Sequence, residues 1–250
     1  MILRSFIVAG LLTVGLAAQA EERSAPNAGC DAPDQFRYLT DDLPFMRLAM
    51  QRSAALKVFV VGSASTLGLG PDSAYPAVFA HVLSERLPGI AVSVTVKAKP
   101  GLTAAEMVKM FKTEIVPAKP ALVVWQTGTV EAMRGVDPES FAASLLAGIE
   151  LLHRNLSDVI LVDMQFSPYT SSMVNLDDYR KLMIWVAQRR DVFLFRRYEL
   201  MHYWSQNQVF DFGASDRAEQ RRVAERIHAC IGRFLAEAVL SDRYVAHEPK

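Results

Sequence analysis

The chain has 250 residues, 27 basic and 27 acidic side chains, and 51% hydrophobic residues. That neutral balance gives no support to nucleic acid or an anionic membrane as a partner. The length is enough for one large domain with a full core. Two cysteines and five histidines, His81, His153, His202, His228 and His247, lack the spacing of a metal-ligand set, so neither a metal nor a cofactor is expected.

The first twenty residues read as a secretory signal peptide. Arg4 supplies the positive end, Phe6 to Leu16 the apolar run, and Ala18-Gln19-Ala20 a small-x-small cleavage site. The run is short for a membrane span, which needs about 20 apolar residues. The expectation is an exported, periplasmic protein with no integral membrane segment after cleavage. Export would place Cys30 and Cys230 in an oxidising compartment, where a disulfide between them is expected; the alternative is two unpaired thiols. Arginine pairs at 189–190, 196–197 and 221–222 read as solvated helix ends.

In the mature chain, 21–41 is a polar leader and 43–56 a short covering helix. Residues 57–61 form a first strand that runs into the turn Gly62-Ser63-Ala64-Ser65-Thr66-Leu67-Gly68. Apolar residues at helical spacing follow over 75–87, and Pro88-Gly89 stops them. The alternating run 90–96 is a second strand. Thr103 and Glu106 have the spacing of a capping box and open a helix through Val116. Residues 121–125 are a continuously apolar third strand, as expected when helices cover both faces of a sheet. Residues 126–136 read as a loop, and a helix follows from Pro138 to about Asn155. A fourth strand (158–163), a loop (164–175), a helix (176–189) and a fifth strand (191–195) come next. A helix over 196–205, a polar loop (206–216), a long helix (218–240) and a frayed tail (243–250) complete the chain.

Five β-α units in series predict a doubly wound α/β fold, a flavodoxin-like three-layer arrangement with a five-stranded parallel sheet in one domain over 21–250. The loops after strands one, two and three and the loop before the last helix then meet at one sheet edge.

Those four loops carry a resemblance. The chain is similar to the SGNH (GDSL-type) hydrolases, whose members are esterases, lipases or carbohydrate deacetylases on such a sheet. The likeness rests on four blocks in order: Gly62 to Gly68, the glycine Gly101, the stretch Gly128-Thr129-Val130-Glu131, and Asp211-Phe212-Gly213-Ala214. By the resemblance, the nucleophile position is Ala64, the oxyanion asparagine is Val130 and the general base is Ala214; Asp211 and Gly101 remain. A serine attacks, a histidine takes its proton and an aspartate orients the histidine, while amide donors hold the oxyanion. Three of those groups are replaced here by apolar side chains.

Substitutes are available on paper. Ser63 or Ser65 sits one residue from the nucleophile position, and His202 or Glu131 offers a base, but each reads first as a structural side chain: a turn serine bonded to local backbone, a core-edge histidine, a loop acid. His228 falls too deep in the last helix to reach the turn. Among the aromatics, Trp125 reads as core, and Tyr169 and Trp204 as candidates for a pocket wall. The expectation is therefore a catalytically inactive SGNH-like protein. Its cleft, over Gly62, Ser63, Ala64, Ser65, Gly101, Gly128, Val130, Glu131, Asp211 and Ala214, would hold a small ester, acyl or sugar ligand or a protein partner. The alternative is an active ester or acyl hydrolase with a relocated serine.

Overall fold

Two runs that are apolar but for one end residue, Gln126 and Asp158, fix the centre of the molecule. Leu122–Gln126 and Asp158–Val162 are buried at every residue, which only a sheet covered on both faces allows. The structure is a computed structural model and describes residues 29–36 and 42–241. The expected signal peptide, most of the expected leader and the chain beyond 241 lie outside the described residues.

Among the described residues there are five strands: β1 (Ala55–Gly62), β2 (Ala91–Ala98), β3 (Leu122–Gln126), β4 (Asp158–Val162) and β5 (Phe193–Phe195). They pair in the order β2-β1-β3-β4-β5, all parallel. This is the expected flavodoxin-like topology, with the switch point between β1 and β3. The register pairs Gly62 with Ala98, Val61 with Trp125 and Gln126 with Val162. The carboxyl ends of four strands thus finish at one edge. The outer strands are blunted: β2 carries the exposed Lys97–Glu114 ion pair, and β5 has three residues.

The helices are α1 (Pro44–Ser53), α2 (Ala64–Leu67), α3 (Tyr75–Arg86), α4 (Ala104–Met110), α5 (Val116–Ala118), α6 (Thr129–Arg134), α7 (Pro138–Arg154), α8 (Pro168–Met173), α9 (Asp177–Arg190), α10 (Arg197–Gln206) and α11 (Arg217–Val239). A π-helical turn, Phe111–Ile115, joins α4 to α5. One face of the sheet packs on α1, α3, α10 and α11, the other on α4, α7 and α9. The capping box at Thr103 and Glu106 is present, with the Thr103 N–H donating to the Glu106 carboxylate at 2.8 Å. Two stretches read as loops contain helices instead. The segment 126–136 holds α6 and 164–175 holds α8; both are six residues long, too short to show a periodic apolar face.

Buried acids stand at both ends of β4. Asp158 accepts the Met46 N–H at 2.7 Å and caps α1; Asp163 accepts the Tyr198 N–H at 2.8 Å in the first turn of α10. Burial pushes each carboxyl up to about 7. Cys30 and Cys230 form the expected disulfide, which ties the N-terminal segment to α11 across 200 residues of sequence. No described helix is long and apolar enough to cross a membrane.

Candidate functional site

The turn after β1 is shaped by close approach. Gly62 lies so near the Thr66 hydroxyl that a Cβ would overlap it. The chain then turns through the buried Ser63 into the short helix α2. Ala64 stands exposed at its first residue, and Ser65 is half-buried behind it. No hydroxyl occupies position 64.

Ser65 is held from two sides. Its oxygen accepts from Gln126 Nε2 at the end of β3 and, at 3.4 Å, from Arg197 Nη1 at the start of α10. The same Nη1 donates to Gln126 Oε1 at 3.0 Å. No described base accepts the Ser65 proton. The arginine pair at 196–197 therefore departs from the expected solvated helix end. Arg196 pairs with Glu199 at the surface, but Arg197 is 1% exposed. The reason is topological: α10 starts directly after β5, and its first side chain turns under the sheet edge toward β1 and β3.

Arg197 makes no ion pair with a described carboxylate, and its Nε is buried without a partner. Burial lowers its pKa to about 10, against the stabilising fields of Tyr75 and Asp163. Tyr75 lies beneath it, its ring centroid 5.9 Å from the guanidinium carbon. Burial raises the Tyr75 hydroxyl to about 12. The nearby Thr66 hydroxyl acts to lower that value, yet the two hydroxyls do not meet hydrogen-bond geometry.

His228 is also nearer than its sequence position implied. α11 crosses α3, so the imidazole packs against Gly68 and Tyr75 beside the turn. Its Nδ1 accepts the Tyr75 N–H at 3.1 Å, which leaves the ring proton on Nε2. Burial and then the Arg197 charge push its pKa down to about 3. Such an imidazole is neutral, weakly basic and already committed on its acceptor side. His202 is half-buried on the neighbouring helix face, edge-on to Phe166 at 4.9 Å and stacked on Tyr198 at 6.2 Å. Neither histidine is hydrogen-bonded to a serine.

The third block is locked by its acid. Gly128, at φ +101°, takes a conformation open to glycine, and a Cβ there would meet Met164 Cε at 2.6 Å. The Glu131 carboxylate is 1% exposed. It accepts from the Ala104 N–H, from the Gly128 N–H at 3.0 Å and from the Thr127 hydroxyl at 3.3 Å. Glu131 thus clamps the loop after β2, which carries Gly101, to the loop after β3. No described serine is hydrogen-bonded to the Glu131 carboxylate. Val130, half-buried on α6, brings no amide.

The fourth block closes the edge. The Asp211 carboxylate accepts the Gly213 N–H at 2.8 Å, a local turn rather than a histidine contact. Ala214 is half-buried, and its carbonyl accepts from Gln220 at 2.8 Å. Behind this loop lies a cavity of about 260 Å³, walled by Phe166, Met201, Phe212, Ala214, Arg197 and His228 among others. Of the aromatics, Trp204 is fully buried and donates to the Asp31 carbonyl at 3.0 Å; it is core, not a pocket wall. Trp125 is core too, donating to Met107 Sδ at 3.0 Å. Tyr169 is 76% exposed.

Sequence reading missed Arg197, Gln126, Tyr75 and the placement of His228. Gln126 carried a signal, being polar at the carboxyl end of an apolar strand that feeds the site edge.

Residues 29–243 match the model of the Non-GDSL lipase-like family. No curated protein sequence matches. Solved structures share the fold at low identity. An acetylxylan esterase, Axe2, from Geobacillus stearothermophilus is 16% identical, covering 77% of this chain and 95% of that one, with a TM-score of 0.55. A lipase/acylhydrolase from Enterococcus faecalis is 18% identical over 71% of this chain and 97% of that one, TM-score 0.51. An α/β hydrolase enzyme from the metagenome of Lake Arreo, Spain, is 18% identical over 72% and 97%, TM-score 0.54. The fold is that of the SGNH/GDSL-like hydrolases.

Proposed function

Because the chain belongs to the Non-GDSL lipase-like family, we propose that it is an exported, periplasmic protein that binds a small ester, acyl or sugar ligand, or a partner, in the hydrolase cleft without cleaving it. The observation that carries this reading is the fate of the reacting groups. By the resemblance, Ala64, Val130 and Ala214 take the three family positions, and none carries a group that could react. The one hydroxyl beside them, on Ser65, accepts from Gln126 and Arg197 and meets no described imidazole. Magnitudes support it. Loss of a triad serine or base costs about 10⁶-fold in turnover in a related mechanism, and one oxyanion donor is worth about 10²–10³. A serine fixed by two donors and lacking a base is a poor nucleophile. The N-terminal apolar stretch and the Cys30–Cys230 disulfide support export.

The test is steady-state hydrolysis of nitrophenyl acetate and butyrate by the mature protein beside its Ser65→Ala variant. The expected outcome is the same background rate for both. Turnover above background that disappears in Ser65→Ala would establish a relocated nucleophile and end the non-catalytic reading.

A further inference from the structure

The cavity behind the last block holds more hydrogen-bond donors than acceptors. Arg197 is a buried cation with no paired carboxylate; its Nε has no partner, and its Nη2 makes no hydrogen bond to a described residue. His228 presents Nε2–H, because its Nδ1 is taken by the Tyr75 N–H. Gln165, half-buried on the wall, has no side-chain hydrogen bond to a described residue. The other polar groups are satisfied. Gln220 donates to the Ala214 carbonyl, and Ser167 bonds to Thr170. The one acid at the cavity is Asp211, exposed at the mouth with its carboxylate bonded to the Gly213 N–H. The rest of the wall is apolar: Phe166, Met201, Phe212, Val223 and Ile227.

Asp163 and Tyr75 favour the charge from a distance but do not bond to the guanidinium, and a buried cation whose N–H donors stay unpaired is costly unless an acceptor meets them. Donors alone do not recognise a neutral hydrocarbon, and an apolar wall does not suit a bare inorganic ion. The combination fits an anionic head on a short apolar tail. We propose that this cavity binds a short-chain carboxylate, its head on Arg197 and His228 Nε2–H and its tail against Phe166, Phe212 and Ile227. The volume sets the length. At roughly 30 Å³ per non-hydrogen atom, by analogy with liquid water, about 260 Å³ takes about eight or nine atoms, room for the six carbons and two oxygens of hexanoate. The inference rests on reading the cleft as a binding site, and it names the ligand class.

The test is isothermal titration of the full mature protein with hexanoate, hexanol and inorganic phosphate. Hexanol carries the tail without charge; phosphate carries charge without the tail. Saturable hexanoate binding with a Kd below about 1 mM is expected, with hexanol and phosphate at least tenfold weaker. Arg197→Gln is expected to weaken hexanoate at least tenfold. Ala214→Trp, a loop substitution that fills the cavity and leaves Arg197 in place, is expected to do the same with an unchanged circular dichroism spectrum. Undetectable hexanoate binding overturns the proposal. So does hexanol or phosphate binding as tightly as hexanoate, or unchanged hexanoate affinity in folded Ala214→Trp. The ester assay separates the two readings. Turnover removes the non-catalytic reading alone, while absent hexanoate binding without turnover removes this inference alone.

Discussion

His228 is the imidazole nearest the turn, and its protonation state decides whether it is a donor to the cavity or a base. The informative perturbation is His228→Asn. Asparagine offers Oδ1 to the Tyr75 N–H that Nδ1 now accepts at 3.1 Å, and it does not titrate. Folding holds the histidine pKa at about 3 against an ordinary 6.5. Below pH 6.5 the unfolded chain binds a proton that the folded chain refuses. The histidine's contribution is therefore intact above pH 6.5, declines as pH falls, and is lost near pH 3. The full window is worth about 5 kcal/mol, and the part between pH 7 and pH 4 about 3 kcal/mol. Asp158 and Asp163 act in the opposite sense. Their carboxyls, raised to about 7, favour the folded state below pH 3.8 and lose that contribution as pH rises to 7. The difference between wild type and His228→Asn cancels both. Urea unfolding at pH 4, 5 and 7 is the assay. Relative to the variant, wild type is expected to lose about 3 kcal/mol from pH 7 to pH 4, a midpoint shift of at least about 1 M urea. A gap between the two proteins that stays constant with pH would refute the buried neutral imidazole.

Three further outcomes follow from the packing. Replacing Cys30 and Cys230 by serine opens a loop of 200 residues; the expected loss is about 5 kcal/mol in the chain-entropy account, read by denaturant unfolding, and a loss under 1 kcal/mol would contradict it. Glu131→Ala strips the acceptor from the Ala104 and Gly128 N–H groups. It is expected to destabilise by about 2–6 kcal/mol and to speed amide exchange at residues 104 and 128; unchanged exchange there would contradict the clamp. Gly148→Ala places a Cβ 2.6 Å from the Trp125 ring. A loss of about 1–3 kcal/mol is expected in thermal unfolding, and wild-type stability would show that the ring yields freely.

The fold was largely legible because its signals are local. The valine-rich run ending at Gly62, the alternating run over 91–96 and the wholly apolar 122–125 each announce a strand. Thr103 and Glu106 announce a helix start, and two cysteines in 250 residues leave one intramolecular pairing. The short helices were harder. α6 buries the charged Glu131 and exposes Met133, the reverse of an amphipathic pattern, although Ser167-Pro168, a cap residue followed by proline, was a usable sign of α8. The site was legible as a frame and not as a network. The replacements at 64, 130 and 214 are what the resemblance to the family's blocks implies. That Arg197 is buried while Arg196 is solvated depends on where α10 leaves β5, which no window of sequence contains. Trp204 failed for the same reason: an aromatic beside a site loop reads as a pocket wall, and the crossing of α10 and α11 makes it core.

The central claim is that the reacting oxygen is missing from position 64 and has no working substitute. Intact-mass analysis of the mature protein after incubation with a fluorophosphonate tests it most directly. The expected result is unmodified protein at a probe concentration that fully labels an active serine esterase. A stoichiometric adduct mapped to Ser63 or Ser65 would contradict the claim and place a working nucleophile one residue from Ala64.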